Sequence, residues 1–462
     1  MSGHLRKLGL RKLGLGLIAG LMASTAAVAA EPAKGPKTYL GVDISYANEM
    51  DDCGAVYRSG GKAVEQYQFF KDAGSNIARI RLWNDPKWTN YSNIADVTKS
   101  IKRAKAAGLQ VLLDFHYSDD WADGEKQLAP KAWEKLSTPD QAKALYAFTY
   151  DTLVKLDAQG LMPDLVQVGN ETNGEIVSTL AKAKDPINWE RNALLFNAGI
   201  KAVRDAGAKG SKNPRVMLHI AQPDTVEDWF AAAAKAGVTD YDMIGISYYS
   251  KWSKRSMAQL GESINRLRHT YAADVVVVET SYPFTTEGAD SSPNLLGEDS
   301  LIPGYPATQE GQKKYLIDLT QLVFANGGTG VFYWEPAWVS TKCKTRWGTG
   351  SNWENSTLFD FKGQPVEGIK WLSSTYAMPV ETTFKVAAGD KAAAFIDGDF
   401  LGGAGPRPMV REGADFVYRT RLMPGASVTV ATAPTAEAVE AASAVTATIS
   451  AKPSAVRLPA QP

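Results

Sequence analysis

Eight short apolar runs, each followed by a stretch of helical periodicity, constrain this chain more than any other feature of its sequence. The runs are Leu40 to Tyr46, Ile77 to Trp83, Val111 to Tyr117, Leu165 to Val168, Val216 to Ile220, Met243 to Tyr248, Val275 to Val278 and Gly330 to Trp334. Several are apolar almost throughout, the pattern of strands covered on both faces. Between them lie helix-period segments such as Ala63 to Ala73, Ile94 to Ala107, Asp140 to Ala158, Trp189 to Ala206 and Gln309 to Ala325. Several stop at a glycine (Gly74, Gly108, Gly160, Gly207), a common helix terminator. The alternation predicts an α/β fold, a closed (β/α)8 TIM barrel over about residues 39 to 376. The rival is an open doubly wound sheet. It would carry a glycine-rich phosphate loop after its first strand, and Gly54 to Gly61 does not match that fingerprint.

Parallel barrels place their chemistry at the C-terminal ends of the strands. The fourth run stops at Gly169, Asn170 and Glu171, and the seventh, four consecutive valines, stops at Glu279. In a closed barrel the two glutamates converge on one face. Two carboxylates facing one cleft suit glycosidic bond cleavage, where one must hold a proton for the departing oxygen and the other must be ionised. Glu171 and Glu279 are therefore the expected catalytic pair, and the bland reading is a pair of buried salt bridges to Arg79 or Arg81.

The other strand ends supply candidate substrate contacts: Arg81, Trp83 and Asp85 after the second run, His116 and Trp121 after the third, Asn170, Tyr248, and Trp334 at the mouth of the eighth. Trp83, Trp121 and Trp334 offer flat faces for sugar rings, with Trp88 and Trp338 as further platforms. His116 is a donor to a hydroxyl or to a carboxylate, and Tyr248 a hydrogen-bond partner of the nucleophile. An arginine beside the strand 7 glutamate, Arg79 or Arg81, would keep it ionised, so for Arg81 the pairing and substrate readings overlap. Asp43 and His219 read as structural. No zinc-like cluster, Gly-x-Ser-x-Gly elbow, phosphate loop or Cys-x-x-Cys competes.

The first thirty residues carry Arg6, Lys7, Arg11 and Lys12, an apolar run from Leu13 to about Met22, and small residues up to Ala30. This is a secretory signal pattern and predicts export to the periplasm or the medium. No later stretch is long and apolar enough to span a bilayer. Charge is balanced at 50 basic and 50 acidic residues, with no basic stripe after residue 12, which argues against nucleic acid as a partner. A monomer is expected. Only Cys53 and Cys343 occur, after strands 1 and 8, which are neighbours in a closed ring. A disulfide and two free thiols both remain open.

The expected organisation is a signal peptide (1–30), a linker (31–38), the catalytic barrel (39–378), a small β-rich segment (379–432) and a low-complexity flexible tail (433–462).

With these residues assembled, the chain resembles glycoside hydrolase family 53, the endo-β-1,4-galactanases. The resemblance rests on GVDISYANEMDD (41–52), ARIRLWNDP (78–86), LLDFHYSDDWAD (112–123), LVQVGNETNGEI (165–176), GISYYSKW (245–252), VVVVETSYPF (275–284) and VFYWEPAW (331–338), in that order. It implies a retaining barrel with Glu171 as acid/base and Glu279 as nucleophile, Asn170 near the sugar 2-hydroxyl, and the β-1,4-galactan of type I arabinogalactan, a pectin side chain, as substrate. Two departures stand out. Gly124 occupies a position where the family commonly has proline. Bacterial members often hold calcium between the loops after strands 7 and 8, and here EGADSSPN (287–294) keeps Asp290 and Asn294 but has Gly288 and Ser292 at other ligand positions. A structural calcium ion on Asp290 and Asn294 is left open, with less charge than a tight site favours. No cofactor is expected for the chemistry itself. The alternatives are another retaining β-glycanase of the clan, a mannanase or cellulase, or a non-catalytic polysaccharide-binding barrel.

Overall fold

A computed structural model of the chain describes residues 38–180, 186–389, 391–401, 405–431, 444–448 and 454–458. The expected signal segment and nearly all of the linker lie outside the described residues. All eight expected strands form: β1 (Tyr39–Asp43), β2 (Ile77–Leu82), β3 (Gln110–Phe115), β4 (Leu165–Val168), β5 (Arg215–Ala221), β6 (Met243–Ser247), β7 (Asp274–Thr280) and β8 (Gly330–Trp334). Each pairs in parallel with the next, and β8 pairs with β1 to close the barrel. Helices α1 (Ala47–Asp52), α2 (Gln66–Ala73), α3 (Ile94–Ala106), α4 (Thr138–Asp157), α5 (Trp189–Lys209), α6 (Val226–Lys235), α7 (Met257–Tyr271) and α8 (Gln309–Ala325) alternate with them. Gly74 ends α2 in the left-handed conformation, as expected. Gly207 does not end α5, which runs on to Lys209. A Cβ there would lie 3.0 Å from the Asn213 backbone, so this glycine permits a close approach instead.

The strands' period of two builds the interior in layers. Tyr39, Ile77, Leu112, Leu165, Met217, Met243, Val276, Val278 and Phe332 pack one another inside the barrel as an apolar floor. Burying each such side chain contributes about 1.5–3 kcal/mol. Gly41 makes room for this floor, since a Cβ there would lie 2.2 Å from the Phe332 ring. Alternate residues such as Ile80, Leu113, Val166, Leu218 and Ile244 point outward into the larger core under the helices. Two residues above the floor, the same inward parity delivers Arg79, Asp114, Gln167 and His219, all buried. The apolar floor thus carries a polar layer on which the rim sits.

Strand β7 breaks its own alternation. Val275 and Val277 face the helices while Val276 and Val278 face the interior, so strict alternation would turn Glu279 outward. The pairing of β7 shifts register against both neighbours near Val278. One extra residue in a strand re-aims the side chains that follow it, and Glu279 points into the barrel.

The disulfide forms: Cys53 after α1 is bonded to Cys343 in the loop after β8. Beyond the barrel, two four-stranded sheets contain strands Val380–Ala387, Phe395–Asp397, Arg407–Pro408, Val410–Glu412, Asp415–Leu422 and Ser427–Ala431. Two further strands come from the stretch read as flexible. Ala444–Thr448 pairs with Ser427–Ala431, and Ser454–Leu458 lies parallel to residues 382–386. The sheets share a core of Phe384, Val386, Ile396, Phe416, Val428 and Val430. They meet the barrel on the last turns of α7, where Phe400 packs on His269 and Arg268 donates to the Arg421 carbonyl. Helices run against the strand direction, so this contact lies at the end of the barrel away from the rim. No helix among the described residues is long and apolar enough to cross a membrane.

Candidate active site

Arg79 organises the polar layer. Its Nη1 donates to Asp43 (2.7 Å) and Glu279 (2.7 Å), its Nη2 to Asp114 (2.9 Å) and Asn170 (2.7 Å), and its Nε to Gln167 (3.1 Å). All five guanidinium hydrogens are used. Three carboxylates around one buried cation hold it firmly charged.

Glu279 lies against this cation, and its second oxygen accepts from the Tyr249 hydroxyl at 3.0 Å. Burial pushes Glu279 upward, with Arg79 opposing and the carboxylates of Glu171, Asp43 and Asp114 adding to the rise. Glu171, at φ 45, stands in left-handed backbone at the end of β4, a strained conformation of the kind that collects at functional sites. Its Oε1 accepts from Ser247 Oγ (2.5 Å) and its Oε2 from the Gly124 N–H (3.3 Å). Burial leads in raising Glu171 as well. The pair competes for protons, and direct contacts decide the outcome. Glu279 touches a cation and a hydroxyl donor, both favouring the anion, whereas Glu171 touches only neutral donors. The proton belongs on Glu171 and the charge on Glu279.

A relay fixes which oxygen of Glu171 carries the proton. The Glu171 N–H donates to His219 Nδ1 (3.2 Å), so the histidine hydrogen is on Nε2 and is given to Ser247 Oγ (2.8 Å). Ser247 then donates to Oε1, leaving Oε2 to carry the acid proton. Burial and the Arg79 charge hold His219 well below its ordinary value, neutral as the relay requires. Oxygens of Glu171 and Glu279 approach within 4.8 Å. An inverting pair stands about 6.5–9.5 Å apart to admit water, so this spacing is that of the retaining arrangement.

Several sequence expectations need correction. Arg79, not Arg81, is beside Glu279, because inward parity puts Arg79 in the layer of Asp114 and Gln167 and Arg81 one layer higher. Arg81 instead lies 4.1 Å from the Trp121 ring, 4.8 Å from Trp83 and 4.9 Å from Tyr46, and 3.5 Å from Glu335. Tyr249, not Tyr248, holds the nucleophile. Counting by twos from Met243 reaches Ser247 and Tyr249, while Tyr248 packs in the outer core. His116, read as a donor to a hydroxyl or to a carboxylate, takes the second role: its Nε2 donates to Asp114 (3.1 Å) and its Nδ1 accepts the Ala122 N–H (3.2 Å). Asp85 is exposed and paired with Lys87 (2.7 Å).

Asn170 accepts from Arg79 and gives one amide hydrogen to the Ala122 carbonyl (2.8 Å), leaving the other for a ligand. Trp83, Trp121 and Trp334 come together as expected. Trp83 and Trp121 stand 5.4 Å apart, Trp121 and Trp334 6.2 Å. The indole nitrogens of Trp83 and Trp121 are buried with no partner among the described residues. Two further tryptophans of this cluster escaped the sequence reading. Trp353 packs edge-on under Trp334 at 4.7 Å, and Trp347 stands over Trp121 at 5.5 Å from a hairpin beside Cys343. Neither follows a barrel strand directly, so strand ends do not reveal them.

In the loops after β7 and β8, Asp290 accepts from Ser292 N (2.7 Å), Ser351 N (2.9 Å) and Ser340 Oγ. Glu354 reaches the other way, and its Oε1 accepts from Ala289 N (3.0 Å). Protein donors thus already occupy Asp290. Asn294 Oδ1 and Glu354 Oε2 are buried without a partner among the described residues, and those orphaned oxygens fit an oxygen-seeking cation.

A glutamate pair at retaining distance on the rim of a (β/α)8 barrel, beside a shelf of tryptophans, defines the class as a retaining glycoside hydrolase. The family model for "Glycosyl hydrolase family 53" matches residues 39–372. An arabinogalactan endo-β-1,4-galactanase of Cellvibrio japonicus is 53% identical over 328 residues, 70% of this chain and 86% of that protein. The GH53 catalytic domain of Ignisphaera aggregans superposes with a TM-score of 0.68 at 31% identity, covering 75% of this chain and 99% of that one. A fungal β-1,4-galactanase structure follows at 0.63 and 28%, covering 73% and 99%. The chain belongs to glycosyl hydrolase family 53. The match ends before the C-terminal sheets.

Proposed function

We infer that this chain is an arabinogalactan endo-β-1,4-galactanase, hydrolysing β-1,4-galactan with retention. The observation that carries the mechanism is the glutamate pair within 4.8 Å, one member ion-paired to Arg79 and the other not. The Glu171 proton, on Oε2, passes to the glycosidic oxygen as the C1–O bond breaks. The Glu279 carboxylate attacks C1 and forms a galactosyl ester. Glu171, now ionised, takes a proton from water, which attacks C1 and returns Glu279 to its anionic state. Arg79 and Tyr249 keep the attacking oxygens charged and aimed, and Asn170 offers its free amide hydrogen to the 2-hydroxyl.

The substrate follows the family and the 53% identical relative. Export to the periplasm or medium is supported by the basic and apolar opening of the sequence. We also place a structural calcium ion on Asn294 and Glu354 with Asp290 beside them. It would brace the two loops and take part in no catalytic step.

The test is reducing-sugar release from linear β-1,4-galactan, beside Glu279→Ala, with mannan and carboxymethyl-cellulose as controls. Galactan cleavage abolished by the substitution is expected. Activity on a control glycan but not on galactan would keep the mechanism and overturn the substrate.

A further inference from the structure

The tryptophan shelf covers only one side of the catalytic pair. Trp83, Trp88, Trp121, Trp334, Trp338, Trp347 and Trp353 form a connected set of ring contacts on the loops after β2, β3 and β8. Glu171 belongs to β4, and the strands beyond it in the ring are β5 and β6. The loops of those two strands lie across the scissile position from the shelf, on the side of the acid that protonates the departing oxygen.

Two residues there have no role in the chemistry above. Trp252, in the loop after β6, is 45% exposed although its backbone is anchored. Its N–H donates to the Tyr249 carbonyl (3.1 Å), Ser250 Oγ to the Ser300 carbonyl (2.6 Å), and Ser253 Oγ to Asp224 (3.1 Å). Its ring meets Tyr249 edge-on at 5.2 Å, and among the described residues it touches no tryptophan of the shelf. A loop pinned on both sides of an exposed indole holds that indole as a platform. Gln222, directly after β5, is the second. It adopts φ 60, where a side chain is strained and glycine would not be. Its N–H donates to the Ser247 carbonyl (3.0 Å) and its Oε1 accepts the Tyr249 N–H (3.3 Å). It therefore bridges the residue that holds Glu171 to the residue that holds Glu279. Its Nε2 donates to no group among the described residues.

We propose that Trp252 and Gln222 form the leaving-group subsite, Trp252 stacking on the first galactosyl unit to depart and Gln222 Nε2 donating to one of its hydroxyls. The assignment rests on the galactanase reading above. Because a sugar bound there is also the acceptor in the reverse step, the same residues govern transfer of the glycosyl ester to sugar rather than water.

The experiment compares linear β-1,4-galactan with β-1,4-galactobiosyl fluoride, whose leaving group is one atom and needs no subsite. For Trp252→Ala, the ratio of kcat/KM on galactan to that on the fluoride is expected to fall about tenfold. Trp252→Phe should restore most of it, and Gln222→Glu, which keeps the acceptor and removes the donor, should lower the ratio severalfold. Transfer to added galactobiose should fall in step. An equal change on both substrates, or no change on either, overturns the proposal. Wild-type enzyme that cleaves the fluoride but not galactan overturns the substrate reading, and this proposal with it.

Discussion

Glu279 and Glu171 are the same side chain in one cleft, and their surroundings differ by a single cation. Around Glu279, Arg79 and the Tyr249 hydroxyl favour charge, whereas around Glu171 a serine and a backbone N–H orient without supplying charge. Burial raises both carboxyls, so burial alone would make them alike. The contrast teaches that acid and nucleophile are assigned by the guanidinium one layer below. It also explains why three carboxylates are gathered at Arg79, since a buried cation so paired stays in place.

Removing the cation should break the contrast most completely. Arg79→Met leaves Asp43, Asp114 and Glu279 without a counter-charge. A kcat loss of about a thousandfold is expected, together with destabilisation of about 3–5 kcal/mol in urea melts. Retention of wild-type kcat by a folded Arg79→Met would mean that the nucleophile is ionised by something else.

Tyr249→Phe removes the other donor and keeps the cation. The anion of Glu279 is then less favoured, so its titration, the acidic limb of the kcat/KM profile, should move to higher pH, with kcat down about 10- to 100-fold. Tyr248→Phe is the control and should leave that limb in place, because its hydroxyl faces the Arg255 carbonyl.

Gly124→Pro acts on the other carboxyl. It deletes the N–H that reaches Glu171 Oε2, so the protonated form gains and the basic limb should rise by on the order of half a pH unit. Gly124→Ala, which keeps the N–H, should not move it. A downward shift in Gly124→Pro would show that the contact does not act on Glu171.

The smallest effect is expected from calcium, whose proposed seat at Asn294 and Glu354 touches neither catalytic carboxyl. Chelation should lower Tm by about 2–4 °C and leave both limbs of the pH profile where they are. Glu354→Gln should lose that calcium response. An unchanged Tm in the wild type would remove the ion from the account.

Much of this was legible from strand patterning. The eight runs, the closure that follows from their alternation with helices, and the arrival of Glu171 and Glu279 at strand ends all depend on local residue order, which a sequence carries directly. Parity counting carried past the strand end would also have separated Tyr249 from Tyr248, whereas Arg79 and Arg81 share one parity on β2 and are told apart only by their layer in the closed barrel. The direction of Asp85 had no such signal, because loop residues lack a fixed period. Trp347 and Trp353 sit far along the β8 loop, brought over the cleft by packing across the barrel rim.

The sequence by itself determined the architecture and the identity of the two glutamates, because apolar periodicity and turn residues act over a few positions. Only the tertiary structure decided that the glutamates stand within 4.8 Å, that the β7 bulge turns Glu279 inward, and that one arginine gives the pair unequal charge. Those are relations between strands up to 200 residues apart, and they exist only once the barrel has closed.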